Sequence, residues 1–157
     1  MKIEINIEQL TYDQLPPDEQ QLVDEARRAT GNSYAPYSHF NVGAAVRLAD
    51  GTIVIGANQE NAVFPLTLCA ERTAIFAAQA QHPDQPITHL AVTAKNDNGF
   101  LPIPAAPCGS CRQSMAQVEQ RYGTPMKVIL AGRDAILRLD SASQLLPLCF
   151  SDGDMRL

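Results

Sequence analysis

The sequence predicts an α/β sandwich in which a mixed sheet is covered by helices. Three observations carry this. Segments with helical spacing alternate with short apolar runs in the order α-β-β-α-β-α-β-β. Asp50-Gly51 lies between two strand-like runs and signals a hairpin, which forces at least one antiparallel pair into the sheet. The chain has 157 residues, 45% of them hydrophobic, which is one domain's core and leaves little room for a second.

The elements follow in order. Ile3, Ile5 and Ile7 alternate with polar residues, so residues 1–8 read as a strand, with residues 1–10 an N-terminal extension of a single domain spanning 1–157. Pro16-Pro17 opens a helix from about Asp18 to Thr30, with Leu22, Val23, Ala26 and Ala29 on one face and Gly31-Asn32 as its stop. Pro36 keeps the segment from Tyr34 to His39 in a loop. Strands are expected at Phe40–Leu48 and Thr52–Gly56, then an alanine-rich helix at Leu68–Gln81 that His82-Pro83 ends. Ile87–Ala94 reads as a buried strand and Asp97–Pro107 as a loop rich in proline. A helix from Gly109 to Tyr122 stops at Gly123, and strands follow at Met126–Ala131 and Ile136–Leu139. Past Ser141 the chain reads as a short helical turn and an apolar tail.

Charge and composition narrow the function. Twelve basic against seventeen acidic residues leave a net charge of −5, which repels phosphates and argues against a nucleic-acid partner. No apolar run approaches the roughly 18 residues a membrane span needs. Met1-Lys2-Ile3-Glu4-Ile5 lacks the continuous apolar stretch of a secretory signal, so the expected compartment is the cytoplasm. There the four cysteines suggest metal or redox chemistry in place of a disulfide framework.

Their placement is specific. Cys69 opens one helix in Cys69-Ala70-Glu71, and Cys108 and Cys111 open the next in Pro107-Cys108-Gly109-Ser110-Cys111. Helix N-termini carry partial positive charge and free N–H donors, which favour thiolates. Two such starts facing each other would offer three thiolates to a Zn²⁺, and three protein ligands with an open fourth position mark a catalytic zinc. Glu71 can converge with Cys69 only if both sit in the first turn, where the carboxylate could exchange protons with a zinc-activated water. Other readings stay open on these residues alone: a thioredoxin-type redox pair, or a closed structural zinc that recruits Cys149. Cys149 by itself reads as a small buried hydrophobe. His39, His82 and His89 have no ligand spacing to the cysteines and read as loop or surface residues.

These residues resemble the zinc-dependent nucleoside and base deaminases. Within that class the sequence is similar to the small homotetrameric cytidine deaminases. The matching stretches are Tyr37-Ser38-His39-Phe40-Asn41-Val42-Gly43-Ala44-Ala45, Asn58-Gln59-Glu60-Asn61-Ala62, Cys69-Ala70-Glu71-Arg72-Thr73-Ala74, Pro107-Cys108-Gly109-Ser110-Cys111-Arg112-Gln113 and Leu145-Leu146-Pro147. The resemblance runs from about Ala29 to Phe150.

It implies a three-layer α/β/α sandwich with a mixed, mostly five-stranded sheet. It implies one Zn²⁺ per subunit on Cys69, Cys108 and Cys111, with Glu71 as proton shuttle. Asn58 and Glu60 would hold the ribose hydroxyls; two residues apart at a strand end, they point to one side. Phe40 would contact the base, the Ala70 N–H the pyrimidine carbonyl, and the Pro107 carbonyl the departing amine. Arg72 would bond to the thiolates and offset their charge. Phe150 would reach a neighbouring subunit's pocket. Phe64 stands where the family commonly has tyrosine, and neither the residues through Ile7 nor Asn96–Pro104 has a clear family counterpart.

The activity implied is hydrolytic deamination of cytidine and deoxycytidine to uridine and deoxyuridine with release of ammonia, a pyrimidine salvage reaction. A blasticidin S-type deaminase shares Cys-Ala-Glu and Pro-Cys-x-x-Cys, but the Asn58–Asn61 segment favours cytidine. A noncatalytic zinc-stabilised interaction module is the alternative of another class, and a nucleic-acid-editing domain is disfavoured by the acidic charge.

Overall fold

The computed structural model describes residues 1–156. Its strands are β1 (Glu8–Leu10), β2 (Asn41–Leu48), β3 (Ile53–Ala57), β4 (Ile87–Asn96), β5 (Gly99–Phe100), β6 (Lys127–Ala131) and β7 (Ile136–Leu139). Its helices are α1 (Pro17–Ala29), α2 (Ala70–Gln81) and α3 (Gly109–Tyr122). The strands form one sheet in the order β1-β7-β6-β4-β2-β3, with β5 paired to β4. Only β4 and β6 run parallel, joined by the crossover through α3, and the other pairs are antiparallel.

Period-2 alternation sorts the core into two layers. Ala44 and Val46, Leu90 and Val92, and Val128 and Leu130 face α2 and α3. Their neighbours Ala45, Ala91 and Ile129 face α1, against Leu22, Val23 and Ala26. With both faces covered, the central strands read as near-continuous apolar runs. The result is a three-layer α/β/α sandwich whose five main strands carry two short additions.

Two glycines set the spacing between layers. A Cβ on Gly43 would lie 2.1 Å from the Ala26 carbonyl oxygen of α1, and one on Gly56 would lie 2.4 Å from the Ala74 nitrogen of α2. Only hydrogen in place of a side chain lets α2 pack this closely on β3, and that contact positions the start of α2. Gly123 ends α3 with φ 61°, the left-handed conformation of a helix stop. At the far end of α3, Glu119 accepts hydrogen bonds from the Met126, Ala142 and Ser143 N–H groups and from the Ser141 hydroxyl, tying the helix to β6 and to the turn at Ala142–Leu145.

Several expectations need correction. Residues 1–7 are exposed and form no strand; the only N-terminal strand is Glu8–Leu10, which pairs with β7. Arg138 of β7 holds Glu8 at 2.6 Å, and no comparable anchor precedes it. The segment Asp97–Pro107 is not all loop, because Gly99, at φ 101°, turns the chain back so that Gly99–Phe100 pairs with the end of β4. Helix α2 begins at Ala70, with Cys69 as its N-cap. His89 is neither loop nor surface: it is half-buried on β4. A further 3-10 turn, Asp152–Met155, was not anticipated.

Candidate active site

The site forms where α2 and α3 begin. Cys69 and Cys108 are the N-caps of the two helices, and Cys111 lies in the first turn of α3. Their sulfur atoms all lie within 4.8 Å of one another, and the Cys69 and Cys108 sulfurs are 3.8 Å apart. Tetrahedral thiolates at a Zn–S distance of about 2.3 Å sit about 3.8 Å from each other, so the trio has the dimensions of a zinc site. None of the three is in a disulfide. Cys149 is half-buried and outside the trio, its sulfur facing the Gln120 amide at 3.8 Å.

The electrostatics suit a cation. Hydrogen bonding from Cys111, then from Arg72 and Cys108, pulls the Cys69 thiol down to about 5 against the opposing effect of burial. Cys111 moves the other way, because it shares its proton with Cys69 and is buried beside Glu71. The Arg72 guanidinium, 3.5 Å from the Cys69 sulfur, favours negative charge there. Among the site candidates, Arg72 lies within hydrogen-bond distance of one cysteine sulfur. Glu71 is 5% exposed, and burial, followed by the nearby Cys69 sulfur, raises its carboxyl above the ordinary range.

Both sets of candidates share one pocket of about 320 Å³. Its wall includes Cys69, Ala70, Glu71 and Cys108, together with Phe40, Asn58 and Glu60. Asn58 lies just past β3, its amide oxygen accepting from the Val42 N–H at 2.8 Å and its amide nitrogen donating to the Phe40 carbonyl at 2.9 Å. One side-chain N–H remains for a ligand. Glu60 accepts from the Tyr37 and Ser38 N–H groups at 2.8 and 3.3 Å and from the Ser38 hydroxyl. The Ser38 hydroxyl is the main reason that its carboxyl is held below the usual range, ionised and able to accept from a hydroxyl.

Pro107 and Phe150 do not line this chain's pocket, and for Phe150 the resemblance expects a neighbouring subunit's pocket instead. Pro107 is buried behind Ala106, which does line the pocket, and its carbonyl accepts from Arg112 Nε at 2.8 Å. Phe150 is 61% exposed and outside the pocket of its own chain, with its carbonyl held by the Gln113 amide at 2.9 Å. The sequence reading missed Ser38, whose signal was its place two residues before Phe40 in the same motif. It also missed Arg112, which joins the Pro107 and Leu145 carbonyls and so links two of the motifs.

A mixed sheet between helical layers, with a metal-sized cysteine trio beside a buried carboxylate in one pocket, defines a zinc-dependent hydrolytic enzyme of the α/β class. The family described as "Cytidine and deoxycytidylate deaminase zinc-binding region" matches residues 16–123. A cytidine deaminase from Halalkalibacterium halodurans is 41% identical over 138 residues, covering 88% of this chain and 98% of that one. One from Sporosarcina psychrophila is 37% identical over 88% of this chain and 95% of its own length. The crystal structure of cytidine deaminase from Burkholderia pseudomallei superposes with a TM-score of 0.71 at 39% identity, covering 83% of this chain and 97% of that one. The chain belongs to the cytidine and deoxycytidylate deaminase family.

Proposed function

We propose that this chain hydrolyses cytidine and deoxycytidine to uridine and deoxyuridine, releasing ammonia. The observation that carries the reading is one pocket lined by Cys69, Cys108 and Glu71 together with Asn58 and Glu60, with Cys111 buried behind it to complete a zinc-sized trio of sulfurs. Zinc held by the Cys69, Cys108 and Cys111 sulfurs supplies a Lewis acid that lets a water molecule ionise near neutral pH.

The protein's own groups do the rest. Glu71 takes a proton from the attacking water as the C4–oxygen bond forms, and delivers a proton to N3. It then takes up the hydroxyl proton of the C4 adduct and delivers it to the exocyclic nitrogen as the C4–nitrogen bond breaks, leaving the uracil carbonyl and ammonia. Its burial in the pocket wall supports this role, since a desolvated carboxylate is a stronger base. Glu60 accepts from a ribose hydroxyl and Asn58 donates its remaining amide N–H to the sugar, while Phe40 packs on the base. The Ala70 N–H lies at the N-terminus of α2, where it has no partner within the helix and is suited to the pyrimidine carbonyl. The Pro107 carbonyl, which the resemblance sets against the departing amine, lies outside the pocket lining and is engaged by Arg112 Nε, so it takes no part in the proposed chemistry.

The finer organisation is part of the same proposal: one domain, a homotetramer with shared sites, and a cytoplasmic enzyme that does not bind nucleic acid. The exposed Phe150 supports shared sites, because an aromatic side chain outside its own pocket is free to enter another. The single sheet supports one domain. Four free cysteines support a reducing compartment, and no described helix is long and apolar enough to cross a membrane.

The test is an assay of the purified chain on cytidine, deoxycytidine, cytidine monophosphate, cytosine and blasticidin S, with bound zinc quantified. Ammonia from the two nucleosides and about one zinc per chain is expected. Turnover of blasticidin S alone, or zinc without turnover of any of these compounds, would overturn the reading. Cys108→Ala should lose both metal and activity; a variant that keeps stoichiometric zinc would show the ligand set to be wrong.

A further inference from the structure

The first seven residues carry an unused capacity for pairing. All are exposed, with Ile3, Ile5 and Ile7 at 51%, 43% and 52%. Among the described residues, their backbone N–H and C=O groups make no hydrogen bond to other backbone outside the helices and strands, and they belong to neither. They run directly into β1, the strand at the end of the sheet. A continuation of a sheet edge with free backbone groups and alternating side chains is a template for another strand. The chain covers it only in part: Ile5 and Ile7 lie along a cleft with Leu137, Leu139 and Leu145, and Ile3 along a shallower one with Pro147. Those contacts use the side-chain face and leave the backbone edge open.

We propose that residues 2–8 pair antiparallel with the same segment of a second copy, about a two-fold axis at Ile5. The sequence Lys2-Ile3-Glu4-Ile5-Asn6-Ile7-Glu8 is complementary to itself in this register. Lys2 faces Glu8 of the second copy at both ends, Ile3 faces Ile7, Glu4 faces Asn6, and Ile5 faces its own counterpart. A one-residue slip sets every isoleucine against a polar side chain. A two-residue slip in one direction puts Glu4 opposite Glu4, and in the other puts Glu4 opposite Glu8 twice; like charges directly opposite destabilise a pair. Arg138 Nε holds one Glu8 oxygen, Oε2, and the other is left for the incoming ammonium. Within one chain Lys2 reaches only Glu4, an exposed pair that pairing would exchange for Glu8. A ladder of this length is a small interface, so the association belongs to the weak class. It does not depend on the deaminase reading, because its readout is a cross-link and not turnover.

Cysteine scanning tests it. Opposed side chains across an antiparallel pair bring their Cβ atoms to about 4.5–5.5 Å, within reach of a disulfide. Ile5→Cys under mild oxidation should give a covalent dimer bridged at position 5 of both copies. Ile3→Cys, which faces position 7, should give roughly tenfold less. Peptide mapping identifies the bridge, the unsubstituted chain sets the background from native cysteines, and thermal melts show that each variant is folded. Adding Lys2→Glu to Ile5→Cys should cut the yield several-fold, because it sets a carboxylate against Glu8. Equal yields at positions 3 and 5, no bridge at position 5, or indifference to Lys2→Glu would each overturn the proposal, leaving the segment docked in its own cleft.

Discussion

Glu19 and Glu71 are both buried, at 2% and 5% exposure, and they do opposite things. Glu19, on α1, is clasped by Arg138 at 2.9 Å and Lys127 at 3.3 Å, two cations of the sheet it packs against. Its charge is neutralised and it fastens a layer. Glu71, on α2, forms no such ion pair among the described residues, borders a pocket, and has a carboxyl raised by burial. Burial with a partner makes a carboxylate structural, whereas burial beside an open space leaves it reactive.

That contrast can be broken at either end. The largest effect is expected at Glu71: Glu71→Gln should keep its zinc and its melting temperature yet lose about 10²–10⁴-fold in kcat, the usual contribution of a general acid–base group. Near-normal turnover would remove the assigned role. Glu19→Ala should do the reverse, costing about 1.5–3 kcal/mol in denaturant unfolding by leaving Lys127 and Arg138 without their shared carboxylate, with kcat little changed. An equal loss of activity and stability in both variants would erase the distinction.

Glu60 lies between these cases, since it has both protein donors and an open face. Glu60→Gln should raise KM for cytidine about tenfold, the scale of a lost hydrogen bond to a charged group, and change cytosine turnover little. A fall in kcat without a KM change would move Glu60 from the sugar to the chemistry.

The smallest effect concerns His89. Burial first, then Lys127 and Arg47, lower its pKa in the folded chain, while Glu19 and Asp18 oppose them. The folded state therefore resists protonation that the unfolded chain accepts near pH 6.5. This contribution is fully present above that pH and is lost as the pH falls below it. His89→Gln should flatten the stability slope between pH 7 and 5, as measured by urea unfolding at each pH; an unchanged slope would show that other groups carry it.

Much of this was legible in the residues. The Asp50-Gly51 hairpin, the Gly123 helix stop and the alternation along β2, β4 and β6 depend on neighbours in sequence, and the structure follows them. So did the placing of Cys69, Cys108 and Cys111 at helix starts. Residues 1–7 misled because alternation marks a potential strand without supplying a partner for it. The β5 pairing was hidden because Gly99 turns the chain within a stretch whose prolines signal only loop. The prior commitments of Asn58 and of the Pro107 carbonyl could not be read either, since the Val42, Phe40 and Arg112 groups that engage them are set by the packed layers.

By itself, then, the sequence determined the periodicities, the caps and the chemical types of the donors, because each is settled within a few residues by backbone sterics and local hydrogen bonding. Only the tertiary structure decided that sulfurs 39 residues apart in the chain would lie 3.8 Å from one another. It also decided that one buried glutamate would border a pocket and another would be locked between two cations. Those outcomes depend on how closely α2 sits on Gly56 and where the α3 crossover returns, which are properties of the packed whole.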